Sequence, residues 1–184
     1  DNFNGHQVPK FGKKYAGSYF YARGNYREYI QGSFKSPLKK GAKYKVSLYI
    51  SLAEKSYFAM KTITFLLTKN SFSTAIWTEL SPKYLENQIT NSFSRNSINS
   101  EKAYKEKENW VLISKVITAK GGESFITLGN FQQNSSTKKE IISKEKNKIS
   151  YYYIDMVSLE LIGNRKTSEN NRVQFSEDKE TRII

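Results

Sequence analysis

Residues 44–53, YKVSLYISLA, carry apolar side chains at every second position: Tyr44, Val46, Leu48, Ile50 and Leu52 alternate with Lys45, Ser47, Tyr49, Ser51 and Ala53. Successive side chains of a strand point to opposite faces, so a strict period of two predicts a half-buried β-strand and fits no helix. The even-numbered set is expected in the core, with Tyr49 facing away from it. Residues 61–68, KTITFLLT, repeat the pattern through Ile63, Phe65 and Leu67. Sheets with one apolar face need a second layer to cover it, which points to a sandwich.

Two aromatic runs, YAGSYFYA at 15–22 and YREYIQGSF at 26–34, are joined at Arg23, Gly24 and Asn25, a pattern that predicts a hairpin. Residues 110–119 and 123–131 read as two more strands, joined by a turn at Lys120, Gly121 and Gly122. Residues 69–109 are rich in Asn and Ser, and their apolar residues keep no single period. The expectation there is a long excursion with one short strand near residues 84–90. A polar insertion at 132–148 precedes a last strand at 150–162. Residues 163–184 are polar and of mixed charge, with isolated Val173 and Phe175, and are expected to form a linker or extended arm. The 13 Tyr and 11 Phe favour sheets over helices. Together these segments predict an all-β fold, a jelly-roll β-sandwich spanning 1–162 with long loops and a C-terminal arm.

The last strand contains an acid. In YYYIDMVSLEL, residues 151–161, unbroken alternation places Asp155 on one face with Tyr153, Val157 and Leu159. Buried carboxylates are nearly always bonded or paired, so Asp155 is expected to tie this strand to a neighbouring turn.

The net charge of +13 invites a nucleic-acid reading. It comes from 24 Lys and only 6 Arg, however, whereas groove and phosphate recognition favours the arginine fork. The lysines are scattered or interleaved with acids, as in EKAYKEKE at 101–108, so a solvated Lys-rich surface is expected and no nucleic-acid partner. The excess charge can still steer the chain to an acidic polymer or an anionic membrane face. No apolar run approaches the roughly 20 residues of a membrane-spanning helix. Absence of cysteine excludes disulfide and thiolate chemistry. The first ten residues, DNFNGHQVPK, lack signal-peptide architecture, so the chain is expected to begin mature or as a fragment.

The inventory disfavours catalysis. His6 is the single histidine and precedes the first strand, which leaves Ser-His-Asp chemistry implausible. No HExxH, GxSxG, Walker or GxGxxG pattern occurs. A carboxylate pair such as Glu28 with Asp155 could serve a glycosidase in principle, but nothing in the sequence brings these two together. The chain is expected not to be an enzyme.

The order of landmarks is YAGSYFY, REYIQ, PLKKGAKYKVSLYISLAEKSYFA, Trp110 with Ile113, AKGGESFITLGNF and YYYIDMVSL. It resembles the galactose-binding-like jelly rolls of Bacteroidetes envelope proteins, which often precede an OmpA-type domain and are distantly similar to carbohydrate-binding modules. The resemblance spans about residues 8–162. It implies a non-catalytic structural or protein-interaction module of an outer-membrane-associated assembly, on the periplasmic or cell-surface face, with a cell-envelope protein complex as partner. The alternative it implies is a carbohydrate-binding module for a polysaccharide or peptidoglycan-related glycan. It also implies a structural calcium at Asp155, where the family's last strand usually carries Ile-Asp-Asp-Val. Here Met156 replaces the second acid, and a thioether is a poor ligand for a hard cation.

Sugar-binding jelly rolls stack aromatic faces on pyranose rings and bond hydroxyls with polar side chains. The candidates are Arg27, Tyr29 and Gln31, which share one parity, Tyr49 on the polar side of its strand, and Trp77 in the Asn/Ser-rich excursion. For each tyrosine the alternative is cross-strand packing.

Overall fold

The computed structural model describes residues 4–89, 93–144, 147–163, 171–172 and 182–183. Among these residues twelve strands run in chain order: β1 (Ala16–Tyr21), β2 (Tyr29–Ser33), β3 (Lys43–Leu52), β4 (Phe58–Met60), β5 (Thr62–Thr68), β6 (Ser94–Asn99), β7 (Val111–Thr118), β8 (Phe125–Gly129), β9 (Lys139–Ile141), β10 (Ser150–Ile162), β11 (Asn171–Arg172) and β12 (Arg182–Ile183). Among the described residues, one α-helix, α1 (Pro82–Gln88), lies between β5 and β6. One sheet has the order β1-β10-β3-β7, with β11 beside β10; the other has the order β12-β2-β8-β5-β6, and β4 pairs with β9. Every pairing is antiparallel. The result is a sandwich-like arrangement of mostly β structure.

The alternating strand behaves as its period demands. Val46, Leu48 and Ile50 are fully buried, facing Ile63, Phe65 and Leu67 of β5 and Ile126 and Leu128 of β8 in one core. The predicted hairpin does not form. β1 pairs with β10 whereas β2 pairs with β8, so the Arg23-Gly24-Asn25 turn carries the chain from one sheet to the other. Lys120, Gly121 and Gly122 make the same kind of crossing, from β7 to β8. A turn signal specifies a reversal and leaves the choice of sheet to distant partners.

The short strand expected near 84–90 is instead α1, with Thr90 outside the described residues. Ser81 caps it, its Oγ accepting the Tyr84 N–H at 3.2 Å, and Pro82 opens the first turn. Leu85 and Ile89, one turn apart, pack with Leu80, Leu66, Tyr29 and Phe131 on the outer face of the second sheet. The excursion therefore covers a sheet face that strand alternation alone would leave to solvent.

In β10 the parity breaks. Asp155 pairs with Tyr49 and Ser158 with Ser47, so Met156 and Val157 together oppose Leu48 in a bulge, and Met156 adopts φ +49°. Tyr152, Ile154, Val157 and Leu159 consequently face the core. Asp155 does not share a face with Val157 and Leu159, because the extra residue inverts the alternation between them. Tyr151 and Tyr153 point to the outer face, where they pack with Tyr15, Tyr19 and Trp110. The N-terminal segment closes over that face: Gln7 Nε2 donates to Ser51 Oγ at 2.9 Å, and Trp110 Nε1 donates to the Val8 carbonyl at 2.8 Å.

Some of the lysine excess is structural. Lys115 and Lys120 reach to carbonyls of Ser97 and Phe93 on or beside the edge strand β6, at 2.8 and 3.1 Å. A lysine there blunts an edge that otherwise invites pairing with another chain. Most of the arm expected at 163–184 lies outside the described residues; the dipeptides 171–172 and 182–183 pair with β10 and β2.

Candidate functional site

The loops at one end of the sandwich are held by a dense polar network. Gly24 and Asn25 take φ of +69° and +61°, which brings the 23–26 turn against the loop after β8. Asn134 joins the two: its N–H donates to Asn25 Oδ1 at 2.7 Å and its Nδ2 to the Ala22 carbonyl at 2.8 Å. Asn130 Nδ2 donates to the Phe20 carbonyl and to Thr137 Oγ1, both at 2.9 Å. The excursion enters through the Arg27 N–H, which donates to the Trp77 carbonyl at 3.0 Å.

Of the five expected ligand residues, three lie inside this scaffold. Arg27 is 1% exposed. Its Nη1 donates to the Tyr26 carbonyl, and its Nη2 to the Gln132 carbonyl and Asn134 Oδ1, while its buried Nε has no hydrogen-bond partner. Burial lowers its pKa, opposed by Tyr29, Glu79 and Tyr21 nearby. The Tyr29 hydroxyl accepts the Leu80 N–H at 2.8 Å and donates to the Asn130 carbonyl at 3.2 Å, and burial pushes its pKa well above the ordinary tyrosine range. Gln31 Nε2 donates to Thr127 Oγ1. These three side chains form no exposed strip, because the excursion covers the face of β2 on which Tyr29 lies. Tyr49 stands on the opposite sheet, half-buried between Phe11, edge-on at 5.7 Å, and Lys10 Nζ at 5.3 Å from its ring centroid.

Trp77 is different. It is 55% exposed and stacks on Tyr26 with ring centroids 6.2 Å apart and an interplanar angle of 22°. The Tyr26 hydroxyl donates to Glu28 Oε1 at 2.9 Å, so a carboxylate stands beside the pair. Beside the same turn is a cleft of about 540 Å³ whose lining includes Tyr21, Arg23, Gly24, Asn134, Asn147 and Lys148. Lys139 Nζ sits 4.7 Å from the Tyr21 ring centroid and 5.2 Å from that of Phe58. Its pKa is lowered, first by burial and then by the Arg27 charge. Sequence reasoning missed Tyr26 and the whole cleft, whose parts come from residues 21–24, 134 and 147–149. The nearest local signal was the Arg23-Gly24-Asn25 turn.

Asp155 lies far from this end in its bonding. Its Oδ2 accepts the N–H groups of Lys10 and Phe11 at 2.8 and 3.1 Å, and its Oδ1 accepts the Met156 N–H at 2.7 Å. A shell of N–H donors suits a carboxylate anchor and repels a cation, so these residues do not fit the calcium that the resemblance implies. No group of three His, Cys, Asp or Glu side chains able to hold a metal occurs among the described residues. Glu28 and Asp155 serve separate hydrogen-bond sets. His6 is exposed, and its N–H donates to Glu54. No helix among the described residues is long and apolar enough to cross a membrane. No protein-family profile, curated protein or solved structure matches the chain.

Proposed function

We propose that this chain is a non-catalytic carbohydrate-binding module of a bacterial cell-envelope assembly, built on a jelly-roll sandwich of galactose-binding-like type. The observation that carries the reading is the exposed Trp77 stacked on Tyr26 beside Glu28. An indole offers an apolar face to the C–H side of a sugar ring, and the adjoining carboxylate and amides supply partners for hydroxyls. The stack is fixed from below, since the Trp77 carbonyl is bonded to the backbone of the buried Arg27. A pre-ordered platform spends little affinity on ordering. Isothermal titration with a panel of neutral and acidic polysaccharides and soluble peptidoglycan fragments tests it. Saturable binding to at least one glycan, lost in Trp77→Ala, is expected; binding indifferent to that substitution overturns the reading.

A second reading keeps the module as a protein-docking unit. It is favoured by Leu112 and Val116, 53% and 52% exposed on the outer face of the edge strand β7. Apolar side chains on an exposed edge strand suit a protein partner. Retention of an envelope complex through Leu112→Lys and Val116→Lys variants discriminates the two readings, because those substitutions leave Trp77 untouched.

A further inference from the structure

Resting on the glycan reading above, we infer that the cleft flanking the 23–26 turn is an anion subsite, and that the glycan taken by this module carries a carboxylate or sulfate group. Two cations line the cleft and two more stand against its Tyr21 wall, Lys139 also donating to the Asn134 and Thr137 carbonyls. Arg23 and Lys148 line the cleft, Lys139 lies over the Tyr21 ring, and the buried Arg27 guanidinium is 5.4 Å from that same ring. Among the described residues, none of the four has a carboxylate within 4 Å. Converging like charges disfavour one another, and an anion in the cleft relieves that repulsion while gaining charge-assisted hydrogen bonds. The pKa of Lys139 is lowered chiefly by burial and secondarily by the Arg27 charge.

The remaining groups suit a sugar better than a bare ion. Tyr21 gives the cleft a half-buried aromatic wall, and Asn134 and Asn147 bring amides that can both donate and accept. At Gly24 nothing lies within 4 Å of where a Cβ would be, so the turn stays open to the incoming ring. The volume falls within the roughly 300–1,000 Å³ typical of small-ligand sites. Trp77 and the cleft both adjoin the 23–26 turn, Trp77 through its stack on Tyr26 and the cleft through Arg23 and Gly24.

The test uses an α-1,4-galacturonate oligomer, its methyl ester and a sulfated galactan oligomer at fixed physiological ionic strength, each titrated calorimetrically. One of the two acidic oligomers is expected to bind about 10-fold or more tighter than the neutral ester, the worth of one or two charge-assisted contacts. The Arg23→Gln, Lys148→Gln double variant should bring that affinity down to the level of the ester and leave the ester unchanged. Both side chains are exposed or line open space, and a melting curve confirms the fold. If acid and ester bind equally while Trp77→Ala abolishes both, the anion subsite is overturned and the glycan reading stands. If none of the panel of glycans binds, both fall. An equal loss from Lys40→Gln with Lys43→Gln, exposed lysines outside the cleft, overturns the subsite in favour of diffuse electrostatics, as does equally tight binding of a single-stranded oligonucleotide.

Discussion

The Asp155 carboxylate accepts the backbone N–H of Lys10 at 2.8 Å across 145 residues of chain. With Phe11 and Met156 also donating to it, the acid pins the N-terminal segment to the bulge in β10. Asp155→Ala strands three N–H groups and should cost about 1–3 kcal/mol, with Asp155→Asn costing less because one acceptor oxygen remains. Chelator and added calcium should both leave the melting temperature of the native chain unchanged. A native-state ligand stabilises by mass action, so a rise with calcium shows that the carboxylate holds an ion after all.

Leu48 is wholly buried, opposite Ile113 in β7 and facing the two-residue bulge of β10. Truncation to Ala leaves a cavity between two sheets that cannot readily collapse, and should cost about 2–5 kcal/mol in chemical denaturation. A cost below about 1 kcal/mol contradicts the register, because only an exposed or half-buried leucine is that cheap.

How far this fold could be read in advance depends on the range of the information. The alternation of 44–53 is local, and β3 forms as it dictates. Which sheet a strand joins is not local: Gly17 meets Tyr153, and Gln31 meets Thr127, so the 23–25 signal marks a turn and not the expected hairpin. Ser81 and Pro82 are a capping signal for the helix at Pro82–Gln88, and the strand expectation for this segment does not use it. Tyr29 and Gln31 were placed on an open face because nothing in β2 reveals that Leu80 and Leu85 come to cover it. Trp77, by contrast, was legible as a large aromatic in a polar loop. Its partner Tyr26 was not, and neither was a cleft assembled from three separated segments.

Arg27 and Trp77 are joined by one backbone hydrogen bond and should respond oppositely to mutation. Arg27→Met leaves the carbonyls of Tyr26 and Gln132 and the Asn134 amide oxygen without their donor, at a cost of about 1.5–3 kcal/mol. Trp77→Ala should stay within about 0.5 kcal/mol of the native stability, as exposed substitutions do, while abolishing glycan binding. Thermal melts and titrations on the same two variants separate scaffold from platform. A strongly destabilised Trp77→Ala assigns the indole to the scaffold and removes it from the site.

Tyr29 and Tyr152 are both held above the ordinary tyrosine range, chiefly by burial, against which the N–H groups of Leu80 and Met60 act. In the folded state these phenols keep protons that the unfolded chain releases from about pH 10 upward. Their contribution is therefore complete below that pH and falls as pH rises. The melting temperature should be level to about pH 9 and then drop, less steeply in Tyr152→Phe, which has one fewer phenol to ionise. An unchanged slope in that variant removes Tyr152 as a cause.

Met156 holds φ +49° at the bulge, a left-handed conformation that costs an ordinary side chain about 1–2 kcal/mol and glycine almost nothing. Its side chain is only half-buried, so little packing is lost by removing it. Glycine also loses more backbone freedom on folding, by roughly 0.5–1 kcal/mol, which offsets part of the relief. Met156→Gly should still be stabilising, by up to about 1 kcal/mol, whereas Met156→Ala keeps the strained φ and should gain nothing. The pair isolates backbone conformation from side-chain chemistry, since both substitutions delete the thioether. If β10 instead ran straight through this position, glycine would weaken the strand relative to alanine, and the order of the two variants in urea denaturation would reverse. That order therefore reports the bulge itself, and with it the reason Asp155 turns outward to receive the N-terminal segment instead of entering the core with Val157 and Leu159.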